Sequence, residues 1–307
     1  MVDDAAKRLN ELEGVSDFRR HEAFDDLVEK FSHSVILRQA LVDDDFVLRF
    51  IRARKGDVLK GIIMLKAALE WRDAYGTDKA FTWTFPKIDQ IKEVYPHGFH
   101  KFDKSGHPIY IERIGQLDIK ALMEITNSDE LCRLHVQSME YSRSTLFPEA
   151  SARAGRPVSQ QVTILDMDGL SMSHASSAVY AYIKGCAEID QSYYPEILSR
   201  MFIVNAPAVF SVVWKMIKPW LDEKTQSKIS ISRKSDAESI LELVEADVLP
   251  EFLGGKDTTF MSSEQERNAR LCAQGKRPAG STAELRRFGF DPDNYPAQVS
   301  DEHPDKK

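Results

Sequence analysis

Hydrophobic positions change their period along this chain. Over residues 1 to about 80 they recur every three or four, as in Phe46, Val47, Phe50 and Ile51 and then Ile62, Leu65, Leu69 and Trp71. That spacing lines one face of an α-helix, and Gly76 after Tyr75 reads as a helix stop. From about 87 to 256 short β-rich runs take over, at Pro108 to Glu112, Val162 to Leu165, Met201 to Val204 and Ile229 to Ile231. They alternate with helical patterns at Ser128 to Ser144, His174 to Ile189 and Ala208 to Lys218. Strands alternating with helices predict an α/β domain with a largely parallel sheet covered by helices. Gly254 and Gly255 close it after Leu249 to Leu253, and residues 257–307 read as a polar, loosely held tail.

Ala208 to Lys218 stands out between two prolines. Val209, Phe210, Val213, Trp214 and Ile217 repeat at helical spacing, with Val212 and Met216 widening the apolar arc. Only Ser211, Lys215 and Lys218 form a polar stripe, so most of the helix circumference should be hidden from water. Two readings stand open: a central core helix, or a helix that packs on the body with one face and covers an apolar cavity with the other.

Composition narrows the function classes. A chain of 307 residues with 42% hydrophobic and 29% charged residues is ordinary for a globular protein. Its apolar runs fall far short of the ~18 to 20 residues of a spanning helix, and Met1-Val2-Asp3-Asp4 is acidic where a leader would be basic. Cys132, Cys186 and Cys272 are odd in number and widely spaced, which fits free thiols in the cytoplasm. A net charge of −7 argues against a nucleic-acid binder or a constitutive anionic-membrane binder. Membrane contact should be transient, built from an apolar patch and a few cations.

Enzyme motifs fail one by one. In Cys272 to Arg277 the arginine comes one place too early for a Cys-dependent phosphatase loop. Gly254-Gly255-Lys256 is followed by Asp257 where a P-loop needs Ser or Thr, and Pro250 stands where its first Gly belongs. His97 and His100 lie in what Pro96 and Gly98 mark as a loop, which speaks against a metal pair. Asp166 and Asp168 end a strand and read as a solvated strand end. No Gly-x-Ser-x-Gly elbow is present. The chain is expected not to be an enzyme and to need no metal or cofactor.

Six segments in one order carry a resemblance: Leu48 to Val58, Trp71 to Gly76, Asp103 to Tyr110, Tyr193-Tyr194-Pro195-Glu196, Asn205-Ala206-Pro207, and Leu249-Pro250 to Gly254-Gly255. Over roughly 45 to 256 the chain resembles the CRAL-TRIO lipid-binding family, most closely the phosphatidylinositol transfer proteins of the secretory pathway. The resemblance implies an N-terminal helical lobe over residues 1–80, a lipid-binding domain over 87–256 whose sheet floors a deep pocket, and a mobile gate helix at Ala208 to Lys218. It also implies that Arg54, Lys55, Asp103, Pro108, Tyr110, Glu196, Thr225 and Lys228 surround an inositol phosphate headgroup. The chemistry is suitable: cations face the phosphodiester, carboxylates and hydroxyls face the ring, and Glu196 can pair with Lys228 in an empty pocket. Arg49 and Arg52 in the same basic cluster read instead as a solvated helix face.

One departure concerns a second lipid. Family members that also bind phosphatidylcholine place Ser and Thr two residues apart on a pocket strand, and tyrosines after a Tyr-Pro pair. Here those strand positions are Gln161 and Thr163, and Gly98 and Phe99 stand where the tyrosines belong. The implied function is phosphatidylinositol binding and transfer between cytosolic membrane faces, or presentation to lipid-modifying enzymes such as a phosphoinositide kinase. The chain is expected to act as a monomer with a phospholipid as its ligand. The competing reading is a sensor or carrier of a sterol, retinoid, tocopherol or haem, which would leave Arg54, Lys55 and Lys228 nothing to neutralise.

Overall fold

The computed structural model describes residues 2–260; the segment around Cys272 and most of the expected tail lie outside the described residues. The helical lobe comprises α1 (Val2–Arg20), α2 (Glu22–Lys30), α3 (Val35–Val42), α4 (Asp44–Ala53) and α5 (Val58–Tyr75). Carboxylates cap its central helices: Asp43 accepts from the amide of Phe46 and Asp57 from that of Lys60. Gly76, at φ 74°, stops α5 in the left-handed conformation that glycine adopts without strain. The apolar faces meet in one core containing Phe18, Phe24, Leu37, Phe50, Leu65 and Leu69, all at most 2% exposed.

Beyond it come α6 (Ile88–Val94), β1 (His97–Phe102), β2 (Pro108–Glu112), α7 (Ile119–Ile125), α8 (Ser128–Tyr141) and α9 (Phe147–Ala154). They are followed by β3 (Gln161–Asp166), α10 (Ser177–Tyr193), β4 (Leu198–Val204), α11 (Phe210–Ile217), α12 (Glu223–Ser227), β5 (Ile229–Ile231) and α13 (Ala237–Leu243). The strands run β1-β2-β3-β4-β5 across one sheet, parallel except for the antiparallel β1–β2 hairpin at one edge. The four β-rich runs of the sequence all fall on these parallel strands.

Three local expectations need correction. The segment read as a loop around His97 is strand β1, because pairing of Gly98 with Ile111 and Phe99 with Tyr110 fixes a backbone whose own residues carry little β signal. His97 donates through Nδ1 to the Tyr95 carbonyl at 2.7 Å, while His100 lies 2.7 Å from a carboxylate oxygen of Asp257. The two histidines thus serve separate partners. Asp166, read as solvated, is buried and accepts from Asn205 Nδ2 at 2.8 Å. The tail cannot begin at 257, since Asp257 is buried against His100 and Lys101.

Strand alternation divides the sheet into two faces. Ile109, Ile111, Val162, Ile164, Phe202 and Val204 pack with Ile240 and Val244 of the α13 region in a closed core. The intervening positions, Tyr110 and Glu112 on β2, Gln161, Thr163 and Leu165 on β3, Met201 and Ile203 on β4, and Ile229 on β5, face an internal cavity. Register aligns them in rows, with Tyr110 beside Thr163, Thr163 beside Met201, and Met201 beside Ile229.

A buried ionic network ties the lobes together. Arg72 of α5 donates to Glu140 of α8 at 2.6 and 3.0 Å and through Nε to Asp78 at 2.8 Å. Arg143 and the Tyr194 hydroxyl also donate to Glu140, each at 2.8 Å. Burial alone would raise the Glu140 carboxyl, but Arg143 and Arg72 outweigh it and hold the group down to about 2. A depressed carboxylate contributes stability above its unfolded value and loses it as pH falls toward the folded one. Stability should therefore decline between roughly pH 4.5 and 2. Glu140→Gln, which strands Arg143 and leaves Arg72 only Asp78, should cost about 3–5 kcal/mol at pH 7 in urea unfolding and flatten that acid limb.

Candidate functional site

The cavity measures about 1080 Å³ and lies between the sheet and helices α10 and α11. Its floor and walls are mostly apolar, with Leu122, Leu131, Met139, Leu165, Met201, Ile203 and Ile229 among the lining residues. Polar groups concentrate in two places.

The first is where the cavity meets solvent. Arg54 caps the end of α4, and Lys55 (φ 55°) and Gly56 (φ 90°) turn the chain out of the helix in left-handed conformations. Both cations are exposed and line the cavity. Opposite them Glu196, also left-handed at φ 62°, follows Tyr194-Pro195. Its carboxylate lies 2.7 Å from Lys224 and 3.5 Å from Lys228, so the pair expected for an empty pocket is present with a second lysine added. Lys228 Nζ also donates to the Leu198 carbonyl at 2.7 Å. Thr225 donates to Asp222 at 2.6 Å on α12. Four cations, Arg54, Lys55, Lys224 and Lys228, flank an open rim with the carboxylates of Glu196 and Asp222, an arrangement suited to a phosphate bearing a polyhydroxyl group.

Six of the eight predicted headgroup residues line the cavity: Arg54, Lys55, Glu196, Thr225 and Lys228 around this opening, and Tyr110 from the sheet floor, where it pairs with Glu112. Asp103 and Pro108 are not among the lining residues. Asp103 accepts from the amides of Ser105 and His107 at 2.8 and 2.7 Å and from His107 Nδ1 at 2.9 Å, closing the β1–β2 turn that Pro108 leaves. The solvated-face reading of Arg49 and Arg52 is corrected too. Arg52 lines the cavity with both arms on Glu11, at 2.9 and 2.7 Å, and Arg49 is buried. The motifs of the sequence did not reveal Lys224. Its four-residue spacing from Lys228 on a short helical run was the available signal.

Gln161 and Thr163 line the cavity; Phe99 does not, and packs on Tyr110 and Tyr141 with ring centroids 4.9 and 5.9 Å away. The Gln161 amide donates to the Thr163 hydroxyl at 3.4 Å and accepts from Ser142 at 3.5 Å, so its bulk lies against the one hydroxyl that β3 presents to the cavity.

Helix α11 covers one side. Phe210 is buried, and Val213, Trp214 and Ile217 line the cavity, while Val209 stands outside it as the N-cap. The opposite face is not hidden from water: Val212 is 55% and Met216 49% exposed. The expectation of a nearly all-buried circumference is thus wrong on that side. The helix separates an internal void from solvent, with apolar side chains on both faces.

The second polar group lies on the cavity wall. Tyr95 donates to Glu112 at 2.8 Å, and His135 of α8 meets Asp190 of α10 at 2.7 Å, with Tyr182 beside them. Burial raises the Glu112 carboxyl despite the hydrogen bond from Tyr95. Burial would lower His135, but Asp190 reverses that and raises it. Sequence reasoning missed this group. Glu112 alternates with Ile109 and Ile111 and could have been found, whereas His135 and Asp190 come from distant helices. Among the described residues no cluster of three or more His, Cys, Asp or Glu is placed to hold a metal.

Residues 92–255 match the profile of the CRAL/TRIO domain. The phosphatidylinositol/phosphatidylcholine transfer protein SFH12 of Arabidopsis thaliana is 37% identical over 236 residues, covering 75% of this chain and 44% of its own length. SFH4 of the same plant is 36% identical over 249 residues, or 81% and 40%. This chain thus spans less than half the length of these plant relatives. The Sec14 cytosolic factor of Schizosaccharomyces pombe is 34% identical over 215 residues, covering 70% of this chain and 75% of that protein. The crystal structure of Sfh5 superposes with a TM-score of 0.63 at 18% identity, over 83% of this chain and 90% of that one, a likeness of fold.

The raised carboxyl of Glu112 sets a pH expectation. A buried acid whose folded value lies above its unfolded one is most favourable while protonated, and its burden on stability grows as pH rises through that interval. Glu112→Gln keeps an acceptor for Tyr95 without the charge. It should therefore raise the urea midpoint at pH 8, an advantage that vanishes below about pH 4.

Proposed function

Because the chain belongs to the CRAL/TRIO domain family, we propose that it binds phosphatidylinositol and transfers it between cytosolic membrane faces or presents it to a lipid-modifying enzyme. The observation that carries this reading is the meeting of Arg54, Lys55, Glu196, Thr225 and Lys228 at the rim of an apolar cavity of about 1080 Å³. That volume is at the upper end of ligand pockets, as two acyl chains require. The names of SFH12 and its plant relatives, which are phosphatidylinositol/phosphatidylcholine transfer proteins, support it.

In this reading the lipid's phosphodiester approaches Arg54, Lys55 and Lys228, and charge-assisted hydrogen bonds replace its hydration. Lys228 then loosens its hold on Glu196, whose carboxylate accepts from the inositol hydroxyls alongside Thr225 and Tyr110. Asp103 and Pro108 contribute by shaping the β1–β2 turn, without touching the ligand. The acyl chains run along the sheet face beneath α11. No bond is made or broken, and the protein acts as a carrier that meets the membrane transiently, as a monomer in the cytoplasm. A phosphoinositide kinase is a partner such presentation would serve. A sterol, retinoid, tocopherol or haem would leave the rim cations without a counter-charge.

Selectivity follows from the same wall. Phosphatidylcholine would meet the bulk of Gln161 lying against the Thr163 hydroxyl, so the chain should move phosphatidylinositol well and phosphatidylcholine poorly. Vesicle assays with each labelled lipid test both points. Lys228→Ala should lose a charge-assisted bond of roughly 1.5 to 3 kcal/mol, about tenfold or more in affinity, with its circular dichroism unchanged. Wild-type transfer by the folded variant would remove Lys228 from the site.

The gate reading of α11 makes a separate claim. Admitting two chains requires the helix to swing out and place Val213 and Trp214 among lipids. Amides 210–217 should exchange hydrogen faster on vesicles than in buffer. Equal protection, together with full transfer by a variant whose α11 is crosslinked to α10, would make this helix ordinary core.

A further inference from the structure

A second, much smaller void lies between the helical lobe and the segment that carries Glu196. It measures about 10 Å³ and is lined by Arg49, Arg72 and Arg143 together with Phe46, Tyr194 and Pro195. Room of that size holds a single solvent-sized occupant. Three guanidinium groups on so small a void set an electrostatic question.

Two of the three are neutralised. Arg72 holds Asp78 and Glu140, and Arg143 holds Glu140 and the side-chain carbonyl of Gln39. Arg49 is not. It is 6% exposed, its Nε has no hydrogen-bond partner, and among the described residues no carboxylate lies within ion-pair distance of it. The Phe46 ring lies against it, with its centroid 5.2 Å from the guanidinium carbon. Asp43, Asp45 and Glu196 attract it from farther away, and Arg143 repels it. Burial lowers Arg49 to about 10, so it still carries its charge at neutral pH. An uncompensated buried cation is costly, and a water molecule would accept a hydrogen bond without cancelling the charge.

We propose that this void is an anion site for a halide, filled by chloride, which Arg49 and Arg143 hold between the helical lobe and the Tyr194-Pro195 segment. Oxyanions such as phosphate or sulfate have several heavy atoms and exceed the space. A single-atom anion fits and balances two carboxylates against three guanidinium groups. It also gives Arg49 and Arg143, which repel each other, a shared partner. Through Pro195 the ion braces the backbone from which Glu196 projects to the rim, so the site sits behind the headgroup residues without belonging to them. The inference does not depend on which lipid the cavity takes.

Bromide is the probe. Crystals of the full chain grown in sodium bromide should show an anomalous peak in the void between the Arg49 and Arg143 side chains. In solution at constant ionic strength, replacing gluconate by chloride should raise the thermal midpoint by about 3 °C per tenfold chloride once the site begins to fill. Arg49→Met, an apolar replacement of similar length, should fold and lose that dependence. Three results would overturn the proposal: a water without anomalous signal in the void, equal midpoints in chloride and gluconate, or a chloride dependence that persists in Arg49→Met. Should the variant not fold, the bromide peak decides alone.

Discussion

The joint between the two lobes rests on how Arg72 is neutralised. A guanidinium almost sealed from water must have its charge and its donors satisfied locally, and here Glu140 supplies both, aided by Asp78. This single requirement fixes three elements. Arg72 sits on α5 of the helical lobe, Glu140 on α8 of the sheet domain, and Tyr194, which also donates to Glu140, ends α10 two residues before Glu196. Trp71, next to Arg72, stacks on Tyr193 at 4.2 Å and meets Tyr194 edge-on at 6.0 Å. A buried pair adds little net stability over apolar residues of equal size, but its geometry is directional, so it sets one docking angle of the helical lobe against α8 and α10. Arg54 and Lys55 ride on α4 of that lobe, while Glu196 and Lys228 ride on the other. The rim exists only because the joint holds these two halves in register.

Below the rim, the alternation of strands does the rest. Ile109, Ile111, Val162, Ile164, Phe202 and Val204 enter the closed core against α13, and the residues between them enter the void, so one sheet supplies a sealed face and a cavity face from the same strands. The void face is not uniformly apolar. Tyr110 and Glu112 on β2 and Gln161 and Thr163 on β3 place a polar strip near one edge, while Met201, Ile203 and Ile229 keep the other edge apolar. The β4–β5 side beneath α11 is therefore the part of this floor where apolar matter is most favoured over water.

Much of this was legible in the chain, and the reasons it was are specific. β2, β3 and β4 were readable because water is kept from most of both faces, which demands near-continuous apolar runs such as Met201 to Val204, and β5, whose Ile231 is 42% exposed, was readable from its β-branched isoleucines. β1 was not, because an edge strand paired on one side can be built from His97, Gly98 and His100, whose strand character comes from β2 and not from themselves. The same limit applies to charge. Arg49, Arg52, Arg54 and Lys55 look alike in a basic run, yet one is buried, one is paired with Glu11 and two are exposed at the rim. Three residues apart on one helix, Arg49 and Arg52 share a face, and only the packing of α1 decides that Arg52 has a carboxylate to meet. Asp103 shows the converse: its place beside Ser105 and Gly106 is equally that of a turn-closing aspartate, and the three hydrogen bonds it accepts belong to the turn.

Helix α11 was the one segment whose pattern left two readings open, and its exposures show why. A core helix would bury Val212 and Met216, and a surface helix would replace them with polar residues; this helix does neither. Keeping two apolar side chains in water weakens the folded state slightly, by an amount set by their exposed area. The inner face both borders the void and packs Phe210, Val213 and Trp214 against the cluster of Met167, Ile203 and Ala206, so moving α11 would cost those contacts, while Val212 and Met216 on its outer face already stand in water. Helix α11 thus joins a packed inner face to an outer face that water does not favour, which is why neither ordinary reading of its pattern was sufficient.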